Sequence, residues 1–187
     1  MTDNFSQLQN KVIKHGLCTH CGTCVGLSRG QLRMEDTPYG PRPVPTQDHV
    51  DLPDAAVTAC PGLQIPYPDL QQSVFGSDPE NWLAGHYREA YIAYAAEEAV
   101  RRQGASGGVI SQVLIYLLET GQVDGAIVVQ QGVPRPWEAA PVIARNRAEV
   151  LAASQSVYAP IPVNMILDEI RDFDGTLAYV GLPDQVA

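Results

Sequence analysis

The chain is most constrained by Cys18-Thr19-His20-Cys21-Gly22-Thr23-Cys24, where three thiols stand three residues apart. The sequence has four cysteines, and the fourth, Cys60, is followed directly by Pro61. Three close thiols plus a remote Cys-Pro is the ligand pattern of a four-iron cubane cluster, [4Fe-4S]: a short loop reaches three corners and a second segment closes the fourth. Gly22 has no Cβ and would let the backbone pass close to inorganic sulfide. Zinc is the competing occupant. Structural zinc usually takes two C-x-x-C pairs, or one pair with two histidines. Here the third thiol comes too soon for that, although His15 and His20 nearby leave a mixed site open. Disulfides are a third option, but Met1–Lys14 shows no secretory apolar stretch, so an oxidising compartment is unsupported. His20 alone reads as a solvent-facing loop residue.

Beyond this loop the chain divides by composition. Prolines crowd the first part, and Pro38-Tyr39-Gly40-Pro41-Arg42-Pro43-Val44-Pro45 excludes a helix or a central strand. Residues 1–70 therefore read as a small irregular domain built around the metal. Ser6–His15 forms a short helix with Leu8, Val12 and Ile13 on one face, and a helical turn at Ala55–Ala59 presents Cys60. The Val25–Pro68 stretch is expected to have little core of its own and to depend on the metal. Residues 71–88 read as a connector anchored by Trp82 and Tyr87. Residues 89–187 alternate strands and helices and read as an α/β domain with a mostly parallel sheet. Its expected elements are a strand at Ala90–Ala95, a helix at Val109–Glu119 with Val109, Val113, Tyr116 and Leu117 inward, and a buried strand at Ala126–Val129. There follow a strand at Val142–Ala144, a helix begun by the capping box Asn146-x-x-Glu149, a helix from Pro162 or Asn164 to Arg171, and a last strand at Thr176–Val180.

Ser106-Gly107-Gly108 is placed between the first strand and the N-terminus of its helix, where free N–H groups and the helix dipole favour an anion. Arg101 and Arg102 lie just upstream. The turn reads either as a phosphate site or as a tight turn that lets helix and sheet pack; the arginines read either as phosphate partners or as solvated surface. With 12 basic and 21 acidic residues and a net charge of −9, the chain has neither a nucleic-acid footprint nor an affinity for anionic membranes, and it suits a basic partner. No apolar run approaches the ~20 residues of a membrane span. An iron–sulfur site without an export signal points to the cytoplasm. No paired carboxylates or nucleophile–base set can be placed in one site, so catalytic residues are unassigned.

The stretches CTHCGTC and ACPG, then QGASGGVISQVLIYLLETGQVDGAIVV, SQSVYAPIP and YVGLPDQVA, resemble the beta subunits of the coenzyme F-420 hydrogenase/dehydrogenase family, which includes 7-hydroxymethyl chlorophyll reductase-like proteins. The resemblance runs from about Leu17 to the end. It implies a flavin-dependent iron–sulfur oxidoreductase subunit that passes electrons between the cluster and FAD and exchanges hydride with a deazaflavin or another organic acceptor. Its implied partners are a ferredoxin or hydrogenase/dehydrogenase subunits. Carried onto this chain, it makes Cys18, Cys21, Cys24 and Cys60 cluster ligands. Arg101, Ser106, Gly107, Gly108 and Val109 would face the flavin phosphates or ring, and Ser156 and Tyr158 would line the flavin pocket. Where the family usually reads Gly-x-Pro-Cys, this chain has Gly181-Leu182-Pro183-Asp184, so a second cluster is expected to be absent or altered. Family members also continue past Gln185–Ala187, which implies an incomplete flavin pocket. The alternatives are a non-catalytic electron-transfer or docking module, or a zinc-stabilised binding domain.

Overall fold

The computed structural model describes residues 3–186; expectations that fall on Met1, Thr2 and Ala187 lie outside them. The chain opens with α1 (Asn4–Leu8), capped by the Asp3 carboxylate, which accepts from the Ser6 N–H at 2.7 Å. A π-helical turn at Gln9–Ile13 continues it to Gly16. After the cysteine loop come α2 (Thr23–Gly26) and a two-stranded antiparallel hairpin, β1 (Leu32–Glu35) with β2 (Arg42–Pro45), in register Leu32 to Pro45 and Glu35 to Arg42. The prolines of β2 are tolerated because a strand in a lone hairpin has one edge that needs no donor. α3 (Asp54–Thr58) follows and delivers Cys60, and α4 (Tyr67–Phe75) runs across residue 70. Trp82 and Tyr87, expected as anchors, are exposed, and the Trp82 ring tilts against Tyr67 at 6.2 Å.

The expectation that Val25–Pro68 lacks a core is corrected. Val25, Leu32, Val50, Leu52 and Ala56 close over Phe5, Leu8 and Val12 from the first helix, and Cys18, Cys24 and Cys60 pack against this cluster. Apolar burial, worth roughly 1.5–3 kcal/mol for a fully buried large side chain, holds this half together alongside any metal.

The second half contains α5 (Glu98–Gln103), α6 (Val109–Glu119), β3 (Gly125–Gln131), β4 (Ala139–Ala144), α7 (Arg147–Ala152), a 3-10 turn at Val163–Leu167, β5 (Leu177–Tyr179) and α8 (Pro183–Val186). The fold is a mixture of helix and sheet, as expected, but the sheet is not mostly parallel. Its order is β4-β3-β5, with β3 antiparallel to β4 and parallel to β5. The cause is loop length. Gly132–Glu138 closes a hairpin, with the Gly132 N–H bonded to the Glu138 carbonyl at 2.7 Å, and so short a connection permits only antiparallel neighbours.

Ala90–Ala95 is not a strand. Tyr91, Ile92 and Tyr94 face solvent, Ala95 alone is buried, and its N–H reaches the Gly107 carbonyl at 2.7 Å. A run with bulky residues on both sides needs cover on both faces, and this one has none. The expected strand–helix–strand unit is therefore helix, helix, hairpin. α6 also buries a different face: Ser111, Leu114 and Ile115 point inward, while Val113 and Tyr116 are exposed. Asn146 caps α7 as read, its side chain accepting from the Glu149 N–H at 3.1 Å, while the Glu149 carboxylate accepts from the Arg145 N–H at 2.7 Å rather than from the Asn146 N–H. The helix expected to run to Arg171 is only the 3-10 turn.

β3 is covered on both faces. Ala126 and Val128 pack with Val100, Leu114, Ile115, Ala144 and Val150 on one side. Ile127 packs on Val163 and Ile166 on the other. The 3-10 turn is therefore the layer between the sheet and the cysteine loop.

Candidate functional site

Local structure carries each cysteine to one place. Gly16 ends the first helix and releases Leu17 and Cys18; Cys21 is buried; Cys24 lies in the first turn of α2; and Cys60 follows α3, with its N–H on the Val57 carbonyl at 3.2 Å. All four thiols are free and line one cavity, walled by Leu8, Val12, Ile13, Met34, Pro43 and Ala56. Burial, then the neighbouring Cys21, Cys18 and Cys60, push the Cys24 thiol up to about 12. Burial also raises Cys60, opposed by hydrogen bonds from the Gly62 and Leu63 backbone. Metal-free, Cys24 keeps its proton at neutral pH, and a cationic metal group would displace it. Among the described residues, no three His, Cys, Asp or Glu side chains converge on a point for one ion. Four soft thiol donors in one cavity suit a thiolate-bound metal group. The donor chemistry and the apolar wall fit a [4Fe-4S] cluster.

His20 is half-buried rather than solvent-facing, and its Nδ1 meets the Pro41 carbonyl at 2.6 Å, tying the cysteine loop to the hairpin. Gly22 lines the thiol cavity and also meets the 3-10 turn. It sits at φ +87°, and a Cβ there would come within 2.9 Å of both the Pro162 carbonyl and the Met165 nitrogen. The missing side chain lets the loop dock on the 3-10 turn.

Asn164 completes that docking. Its backbone N–H bonds the Cys21 carbonyl at 2.9 Å, and its amide nitrogen bonds Thr23 Oγ1 at 2.8 Å and the Gln185 carbonyl at 3.0 Å. The Tyr179 hydroxyl donates to its amide oxygen. Burial, then Cys21 and Asp184, push the Tyr179 phenol up to about 12. Sequence reasoning missed Thr23, Asn164 and Tyr179. The available signal was a polar residue inside the apolar run Val163-Asn164-Met165-Ile166.

The glycine turn lies between two helices, α5 and α6, rather than between a strand and a helix. Gly108 is the N-cap of α6 in the left-handed region and offers no side-chain cap, so the first N–H groups of Val109 and its neighbours stay open. A Cβ on Gly108 would meet the Val100 carbonyl at 2.7 Å, so helix packing by itself requires glycine here. Arg101 is on α5 with its guanidinium 4.9 Å from the centre of the Tyr94 ring, and Arg102 pairs with Glu98. Gln103 joins this turn to the SQSVY stretch: its carbonyl accepts from Ser154 at 3.3 Å and from Gln155, and its amide donates to the Leu151 carbonyl at 2.9 Å. The Ser156 carbonyl accepts from Gln131 at 3.1 Å. Arg101 and Ser106 are exposed, Gly107 and Val109 half-buried and Gly108 buried, and Tyr158 projects into solvent at 97% exposure.

The structure thus docks a cavity lined by four cysteines on a mixed α/β layer. Residues 90–168 match the family described as coenzyme F420 hydrogenase/dehydrogenase, beta subunit N-term. The coenzyme F420-dependent sulfite reductase of Methanocaldococcus jannaschii is 26% identical over 178 residues, covering 95% of this chain and 25% of that protein, so the match extends over both halves. The coenzyme F420 hydrogenase subunit beta of Methanosarcina barkeri is 29% identical over 95 residues, 50% of this chain and 32% of that protein. This chain therefore spans about a quarter to a third of the length of these relatives. Among solved structures, a chain of the xenon-derivatised F420-reducing [NiFe] hydrogenase complex from Methanosarcina barkeri is 28% identical over 46% of this chain and 30% of that one, with a TM-score of 0.42.

Proposed function

We propose that the chain is an electron-transfer portion of a flavin-dependent iron–sulfur oxidoreductase acting with a deazaflavin or another organic acceptor. The observation that carries this reading is the meeting of four free thiols at one apolar cavity, in a chain whose residues 90–168 match this family's model. Cys18, Cys21, Cys24 and Cys60 are the donors for a [4Fe-4S] cluster. Ser106, Gly107, Gly108 and Val109 would offer N–H groups to FAD phosphates, Arg101 would supply charge, and Ser156 and Tyr158 would border the ring. When bound, the cluster exchanges single electrons and the flavin links them to hydride transfer. The protein's own part is to hold the donors, keep water from them with Leu8, Val12, Ile13 and Met34, and dock the loop on the sheet. Within this reading the cluster unit covers residues 1–70, the connector 71–88 and the α/β unit 89–187. Ferredoxin or hydrogenase/dehydrogenase subunits are the partners that fit, in the cytoplasm. Among the described residues no helix is long and apolar enough to cross a membrane.

The openness of the glycine surface favours a second reading for the chain alone, a module that carries the cluster and docks without retaining flavin. Anaerobic purification tests both. Brown protein with matched iron and acid-labile sulfide is expected, and colourless protein carrying zinc would overturn both. A flavin spectrum retained after desalting selects the first reading over the second.

A further inference from the structure

We propose that Thr23 donates a hydrogen bond to the Cys21 sulfur, that Asn164 sets the direction of that bond, and that the bond raises the reduction potential of the group Cys21 holds. The inference rests on the reading that the cysteines bind a cluster. Thr23 Oγ1 stands 3.3 Å from Cys21 Sγ, and both residues are buried. Donor and acceptor along the chain follow from valence. The Gln185 carbonyl can only accept, so the Asn164 amide nitrogen, 3.0 Å away, must face it. That nitrogen's second hydrogen points to Thr23 Oγ1 at 2.8 Å, making the threonine oxygen an acceptor there. Its own hydrogen is left for Cys21. The Asn164 oxygen, on the other side, takes the Tyr179 hydroxyl. A metal-bound thiolate has no proton and can only accept, so loading the site fixes the same direction.

A hydrogen bond to a ligand sulfur draws electron density from it and favours the more negative, reduced form of the cluster. Thr23 is thus a tuning residue, and Asn164, Gln185 and Tyr179 are positioning residues that act through it.

The test is a potentiometric titration, followed by electron paramagnetic resonance, of the full chain purified anaerobically. Thr23→Val and Thr23→Ala are expected to keep wild-type iron and sulfide content and to have a lower midpoint potential, while Thr23→Ser returns it to the wild-type value. An unchanged potential in either donorless variant with an intact cluster overturns the inference and leaves the cluster reading standing. Loss of the cluster in both donorless variants, with Thr23→Ser retaining it, also overturns it, because the hydroxyl would then serve assembly rather than potential. A wild-type chain without iron and sulfide sinks the cluster reading itself, and this inference with it.

Discussion

In the cysteine half, Leu8, Val12 and Ala56 belong to the hydrophobic core and also wall the cavity that the four thiols share. In the α/β half the core and the candidate site are separate: Val100, Leu114, Ile115, Ala126 and Val150 are sealed inside, while Arg101, Ser106, Ser156 and Tyr158 lie on an open surface. The difference teaches that the two candidate sites place different demands on this chain. The thiol cavity is enclosed by the chain's own side chains, so a change in packing there is a change in the site. The glycine surface is tied to the core mainly through the α5–α6 contact at Gly108 and the hydrogen bonds of Gln103.

The sharpest way to break this comparison is Cys24→Ser. It should abolish the cluster completely, yet leave the far-ultraviolet dichroism of the chain largely in place, because Leu32, Val50, Leu52 and Ala56 still pack on the first helix. Collapse of the secondary structure together with the cluster would show that the metal, not the apolar core, holds this half.

Paired core truncations come next. Leu8→Ala and Ile115→Ala should each cost about 2–5 kcal/mol in denaturant unfolding. Only Leu8→Ala should also lower the iron content, since Leu8 lines the cavity and Ile115 packs in the other core. Equal iron loss in the two variants would contradict the separation of the cores.

Asn164→Ala attacks the joint between the halves. It removes the Asn164 donor to Thr23 Oγ1 and leaves the Tyr179 hydroxyl and the Gln185 carbonyl without this partner, at a site where Asn164 itself is 6% exposed. A buried polar group so orphaned costs about 1–3 kcal/mol, and calorimetry should resolve two unfolding transitions where the wild type shows one.

The smallest effect belongs to the surface. Arg147 bonds Glu97 and Glu119, and hydrogen bonds from Arg147 and then Gln112 hold the Glu97 carboxyl below its ordinary value. A lowered carboxylate pKa contributes stability above the unfolded value, lost as pH falls through the folded one. Denaturant midpoints should therefore drop slightly on acidification below the ordinary glutamate value, and Glu97→Gln should flatten that slope without affecting the iron content.

What the sequence made legible was local. Three cysteines at fixed spacing and a remote Cys-Pro could be read as one candidate ligand set, and the structure brings all four to one cavity. The Asn146 cap is satisfied within one turn by the Glu149 N–H, so it could be read from four residues. The face of α6 could not. Val109-Ile110-Ser111-Gln112-Val113-Leu114-Ile115-Tyr116-Leu117-Leu118 is apolar nearly all round, and only the arrival of β3 and α7 selects Ser111, Leu114 and Ile115. Ala90–Ala95 has the composition of a strand, but strand formation needs a neighbouring edge that composition does not encode. The packing of Gly22 against the 3-10 turn and the bonds of Asn164 were hidden for the same reason. Their partners lie far along the chain, Thr23 being 141 positions from Asn164, and no local pattern announces such a contact.

The central claim is that the chain encloses a cluster site with its own residues. Mössbauer spectroscopy of the iron-57-enriched chain, purified without oxygen and measured before and after dithionite, tests it most directly. The account predicts the paired-iron spectrum of a [4Fe-4S] centre that takes up one electron and disappears in Cys24→Ser. Isolated mononuclear iron, or a spectrum unchanged by Cys24→Ser, would contradict it.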